Sequence, residues 1–194
     1  IWGGADHVAN YVETQVLDWC KEMLGYPAEA SGLLVSGCSM ANLVGITVAR
    51  NAKAEGDLRR EGIRALPRDM LLYGSVEMHS SIQKALELLG LGRGALRKIP
   101  VNDHYQIDIA ALQTAIARDR ENGLHPFCVV ANAGTVNTGA IDDLKGLADV
   151  CEAENLWLHV DGAFGALASL SPLRRHLLDG MTRADSPQMD VHAP

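Results

Sequence analysis

The sequence predicts an α/β fold, a mainly parallel sheet covered by helices. Short apolar runs of strand length alternate with longer stretches of helical spacing from end to end. The central runs are apolar throughout, as strands buried on both faces are. Segments of small and hydroxyl residues follow the ends of these runs, where the functional groups of an open α/β sheet gather. At 194 residues, 47% hydrophobic and 21% charged, the chain has the balance of a globular domain or part of one.

Val8 to Leu24 carries Val8, Val12, Val16, Trp19 and Met23 at helical spacing, predicting a helix with one buried face that Gly25 and Pro27 stop. Ser39 to Ala54 reads as a second helix opening directly after Ser36-Gly37-Cys38. Met70 to Tyr73 suits a buried strand, and Ser80 to Leu89 returns to helical spacing. Arg97 to Val101 is a weaker strand candidate. Ile107 to Arg120 is an Ala-rich helix stopped by Asn122-Gly123, and Phe127 to Ala131 a buried strand. Asp142 to Asn155 reads as a helix with Asp142 and Asp143 at its positive end. Leu156 to Val160 is again a strand. No repeat, low-complexity tract or linker divides the chain, so residues 1–194 read as one unit.

A net charge of −7 argues against nucleic acid as a partner. Arg59, Arg60, Arg64 and Arg68 are interrupted by Glu61 and Asp69 and read as a solvated face. No apolar run approaches the ~20 residues that cross a bilayer, so no membrane is expected. The start, Ile-Trp-Gly-Gly-Ala-Asp-His, has neither initiator Met nor signal-peptide pattern, and the chain is expected to begin inside a longer protein. Cys20, Cys38, Cys128 and Cys151 are widely and irregularly spaced, which predicts reduced thiols and a cytoplasmic location.

Four segments carry chemistry. Val35 to Asn42 is a small-residue loop feeding a helix, where free backbone N–H groups and the Ser39 hydroxyl can hold a phosphate. Taken alone, a plain N-cap with Ser39 in that role explains it better, and Cys38 reads as inert. His79 follows a strand, where an imidazole can stack on an aromatic cofactor or move protons; in isolation, an exposed or helix-capping histidine is the simpler account. Ala131 to Asp143 runs a buried strand into small and hydroxyl residues, making either a ligand pocket or an ordinary βα loop with Gly139 in its turn. Trp157 to Gly165 places Asp161 at the end of an apolar strand, a costly position for a carboxylate unless a cation or strong donor meets it. A protonated pyridine nitrogen is one such partner. His159 and Asp161 could instead ligate a metal, but no third ligand stands nearby at suitable spacing, so no metal is expected.

Taken together and in this order, these segments resemble the pyridoxal-phosphate (PLP) dependent decarboxylases of the aromatic-amino-acid, histidine and glutamate group, over nearly the whole chain. The resemblance implies a fold-type I large domain, incomplete here, with N-terminal and C-terminal parts of the full enzyme outside residues 1–194. It implies a homodimer that converts an L-amino acid to its amine and carbon dioxide. It places Cys38 and Ser39 at the phosphate-binding turn, His79 against the pyridine ring, Thr135 in the pocket wall, Asp161 at the pyridine nitrogen and Ala163 packed on the ring. Ala184 to His192 is similar to the strand leading to the catalytic lysine, with His192 just before that lysine. The phosphate turn leans toward an aromatic substrate over glutamate.

One departure is functional. The family has its Schiff-base lysine directly after the position of His192, and here Ala193 and Pro194 follow. Lys21, Lys53, Lys84, Lys98 and Lys145 fall on predicted helices or away from the motif strands. The expectation is a decarboxylase in the parent protein and little turnover by this chain itself. The alternative is a lysine-less PLP-binding relative or a non-catalytic subunit.

Overall fold

The computed structural model describes residues 7–190. Its frame is β1 (Met70–Ser75), β2 (Leu96–Ile99), β3 (His125–Asn132), β4 (Trp157–Gly162) and β5 (Ser186–Met189). Every pairing is parallel and the spatial order is β2-β1-β3-β4-β5. The helices are α1 (Val8–Leu24), α2 (Cys38–Lys53), α3 (Leu58–Glu61), α4 (Ser81–Leu88), α5 (Ile109–Glu121) and α6 (Leu144–Ala153). The chain leaves β1 for β2 on one side and returns to β3 on the other. The carboxyl ends of β1 and β3 therefore flank a crevice where the direction of winding reverses.

Strand side chains alternate between two cores, as the period of two requires. Leu71, Tyr73, Val129, Ala131, Leu158 and Val160 pack with Leu112 and Ile116 of α5 and Leu147 and Cys151 of α6. Met70, Leu72, Cys128 and Val130 pack with Ile46 and Ala49 of α2 and Ile82 and Leu86 of α4. Covered on both faces, β1 and β3 are apolar over Met70 to Tyr73 and Phe127 to Ala131, as the sequence suggested. The alternation slips once. Leu71 pairs with Pro126 and Leu72 with Cys128, and Phe127, left between them, joins Cys128 in the second core.

Local chemistry sets most element ends. Gly25 closes α1 at φ 64, and Asp108 caps α5 by accepting from Ala111 N. The predicted helix at 142–155 begins at Leu144 because Asp143 is its cap, accepting from Gly146 N at 2.9 Å. Asp142 is not at the helix end as expected. It is buried against β3, accepting from Ile107 N at 2.7 Å and Asn132 N at 2.7 Å. The second strand runs over Leu96–Ile99, while Val101 forms an isolated antiparallel bridge with Ile107.

The expected buried face of α1 is a correction. The helix has the predicted bounds, yet none of its residues is fully buried; Val8, Val12 and Trp19 are exposed. Periodicity requires a face to be apolar but does not supply what covers it. The helix rests on the turn at Ala166–Leu170, where Ser169 Oγ donates to Met23 O at 2.9 Å.

Candidate functional site

The site lies at the carboxyl ends of β1, β3, β4 and β5, under the start of α2. Asp161 stands at the penultimate position of β4 and is 7% exposed. Three donors meet its carboxylate. Asn42 Nδ2 donates to Oδ2 at 2.9 Å, while Gln188 Nε2 at 2.5 Å and Ala163 N at 3.2 Å donate to Oδ1. Donors on every side are what a carboxylate anion can use, since it only accepts.

Asn42 is itself buried and serves as a junction. Its Oδ1 meets His159 Nε2 at 2.8 Å and accepts from Gln188 Nε2 at 3.1 Å. Its Nδ2 also donates to Ser81 Oγ at 3.0 Å, and Ser81 Oγ meets His79 Nδ1 at 2.8 Å. His79 is exposed just after β1, so its ring is open to a ligand while its Nδ1 is tethered. The structure thus joins His79 and Asp161, 82 positions apart in sequence, through one amide and one hydroxyl.

At the start of α2 the residue that caps the helix is Gly37, at φ 140, and no side chain bonds to the end. Ser39 is therefore in the first turn and is not the cap that the simpler explanation required. An open helix start of this kind suits an anion, because its N–H groups and the helix dipole both present positive charge. The Cys38 thiol is engaged elsewhere, with Asp190. Its Sγ donates to Asp190 Oδ2 at 3.0 Å, and burial, then that bond and the Asp190 charge, push it up to about 12. Cys38 can offer its backbone N–H there, and Ser39 its exposed hydroxyl.

Thr135 is buried just beyond β3, its Oγ1 2.6 Å from Thr138 Oγ1, and its backbone N–H donates to Ala140 O. The preceding Gly134 packs against Gly165, so the loop after β3 touches the segment after β4 that contains Ala163. Behind this loop Asn132 Nδ2 links Asp142 Oδ2 at 3.1 Å with Ser75 Oγ at 3.2 Å, fixing the ends of β3 and β1. His192 lies outside the described residues.

Sequence reasoning missed Asn42, Ser81 and Gln188, and weighed His159 only as a metal ligand. Asn42 was within reach, since it closes the very segment singled out and sits one helical turn after Ser39. Gln188 lies in the stretch Ala184 to His192 that the resemblance singled out, but nothing in the sequence marked it as a partner of Asp161.

The open parallel sheet carries a buried, donor-ringed carboxylate at one strand end and an uncapped helix start beside it, an α/β arrangement that can accept a cationic group at the first and an anionic one at the second. The chain belongs to the pyridoxal-dependent decarboxylase family, whose conserved domain matches residues 7–193 and whose cofactor is pyridoxal 5'-phosphate. It is similar to the aromatic-L-amino-acid decarboxylase of Bacillus atrophaeus, at 44% identity over 95% of this chain and 36% of that protein. The crystal structure of mouse CSAD in its apo form matches with a TM-score of 0.91 and 36% identity, over 95% of this chain and 38% of that one. Oryza sativa TDC, solved with PLP and tryptamine, matches with a TM-score of 0.82 and 33% identity, over 93% of this chain and 38% of that one. The chain therefore spans little more than a third of the length of these relatives.

Proposed function

We propose that the parent protein is a PLP-dependent amino-acid decarboxylase and that residues 1–194 form the central part of its fold-type I cofactor-binding large domain. The carrying observation is Asp161, a buried carboxylate met by three donors at the end of β4. The donor set fits the cofactor's two charged ends, with Asp161 for the pyridine nitrogen and the start of α2 for the phosphate. When bound, PLP supplies an electron-accepting pyridinium ring.

The chain's own residues bind and orient. Asp161, held by Asn42, Gln188 and the Ala163 N–H, keeps a positive charge on the ring nitrogen favourable. The backbone N–H groups of Cys38 and Ser39 and the Ser39 hydroxyl take the phosphate. His79, tethered by Ser81, would offer its ring to the pyridine; Thr135 would line the pocket wall and Ala163 would leave room for the ring. His192 enters only through the family resemblance, which sets it just before the catalytic lysine. The substrate is an L-amino acid, aromatic in preference to glutamate, and the working form is a cytoplasmic homodimer with no nucleic-acid or membrane partner. The 44% identity with an aromatic-L-amino-acid decarboxylase supports the substrate preference.

A second reading concerns this chain itself. Ala193 stands where the family carries its Schiff-base lysine, which favours noncovalent PLP binding and little or no turnover. The test is carbon dioxide release from a panel of L-amino acids by the full-length protein and by this chain, each with PLP and then with borohydride. Release by the full-length protein, with a pyridoxyl group fixed to one lysine, supports the enzyme. Sustained release by this chain would sink the second reading.

A further inference from the structure

His159 is two positions before Asp161 on β4, buried to 1% exposure and absent from every role assigned above. Its ring packs against α2 at Gly45, where a Cβ would meet His159 Cε1 at 2.6 Å, so the helix is pressed onto the imidazole face. Both ring nitrogens are engaged: Nδ1 lies 2.9 Å from Ser186 Oγ and Nε2 2.8 Å from Asn42 Oδ1. Ser186 Oγ in turn accepts from Trp157 Nε1 at 2.8 Å.

The direction of these bonds follows from the groups at the two ends. An indole N–H only donates and a carboxylate only accepts. Trp157 gives its hydrogen to Ser186. At the other end Asp161 takes the Asn42 NH₂, so Asn42 Oδ1 accepts from His159 Nε2, and the Nδ1 of the neutral ring is left to accept from the Ser186 hydroxyl. The imidazole carries its proton on Nε2 and gives it to Asn42 Oδ1. With its oxygen committed to His159 and, at 3.1 Å, to Gln188 Nε2, Asn42 turns its NH₂ toward Asp161 and Ser81, and Ser81 passes its hydroxyl hydrogen to His79 Nδ1. Burial lowers the affinity of His159 for a second proton, which keeps the ring in this neutral form.

We propose that His159 is a positioning residue that, through the Asn42 amide, points hydrogen-bond donors at Asp161 and at the Ser81–His79 pair, and so strengthens the hold of Asp161 on the nitrogen of a bound pyridine ring. This rests on the cofactor reading of Asp161 given above. A metal-binding role for His159 is incompatible with the arrangement, because both of its nitrogens are spent inside the protein.

The test compares binding of PLP and of its 1-deaza analogue, in which C–H replaces the ring nitrogen, to the cofactor-free full-length protein. His159→Phe keeps a ring but no donor, and His159→Gln keeps a donor toward Asn42. The expected result for His159→Phe is about a tenfold loss of PLP affinity, the worth of one hydrogen bond to a charged group, with the 1-deaza affinity unchanged. His159→Gln restores PLP binding. Equal losses for both compounds, or no loss for either, would overturn the proposal. If the Phe variant does not fold, Ser186→Ala removes the donor that holds His159 in its Nε2–H form and must show the same selective loss. A wild-type protein that binds both compounds alike would instead refute the role of Asp161 itself, a result distinct from failure of the His159 proposal.

Discussion

Asn42 Nδ2 lies 2.9 Å from Asp161 Oδ2, joining the second turn of α2 to the end of β4 across 119 residues. Asn42 makes this bond while its oxygen is held by His159 and Gln188. One amide therefore ties three elements together beneath the proposed cofactor ring. Asn42→Ala removes both donors and acceptor from a buried position, and a loss of about 2–4 kcal/mol in unfolding free energy is expected. Denaturant titration of the full-length protein measures it, with PLP affinity falling in parallel.

Asp161→Asn keeps the shape and removes the charge. A weakening of PLP binding by about tenfold to a hundredfold is expected, the worth of a charged hydrogen bond, with decarboxylation falling at least as far. Fluorescence titration of the cofactor-free protein checks the first, and carbon dioxide release the second.

Gly45→Ala drives a methyl into the His159 ring, which has α2 on one side and β4 behind it. Overpacking of this kind costs about 1–3 kcal/mol. Combining it with a smaller residue at 159 should recover part of the loss, as a double-mutant cycle on thermal unfolding would show.

The buried His159 makes stability depend on pH. Its folded-state proton affinity is lowered, chiefly by desolvation, with the Asp161 charge opposing. The unfolded chain then binds more protons than the folded one, so stability rises with pH. The contribution is complete above the unfolded value of about 6.5 and is lost as pH falls from there toward the lowered folded value. His159→Gln removes the titration. The stability of the wild type relative to this variant should fall between pH 7 and pH 5, by at most about 1.4 kcal/mol per pH unit.

Cys38, at the mouth of the site, should resist thiol reagents. Its thiol is pushed up to about 12 and donates to Asp190, so almost no thiolate exists at neutral pH. Disulfide-exchange titration of the native protein at pH 7.5 should leave Cys38 unmodified until it unfolds.

Much of the frame was legible in the sequence. The bounds of α1, the buried strands at 70–73, 127–131 and 156–160, and the helix after Ser36-Gly37-Cys38 follow from local periodicity and stop residues. Apolar spacing and turn chemistry act over a few residues and leave a readable pattern. The segments containing Ser39, His79, Thr135 and Asp161 were visible for the same reason, since each is a run of small or polar residues after a strand or before a helix.

The partners of those residues were decided by tertiary structure alone. Asn42 meets Asp161, His159 and Gln188 because strand order sets β5 beside β4 and lays α2 across both. A hydrogen bond between residues more than a hundred positions apart leaves no periodicity in either segment, and a lone Asn or Gln reads like any other. The exposed face of α1 is the converse: its apolar spacing is plain in the sequence, but burial needs a second surface, and local periodicity does not specify one.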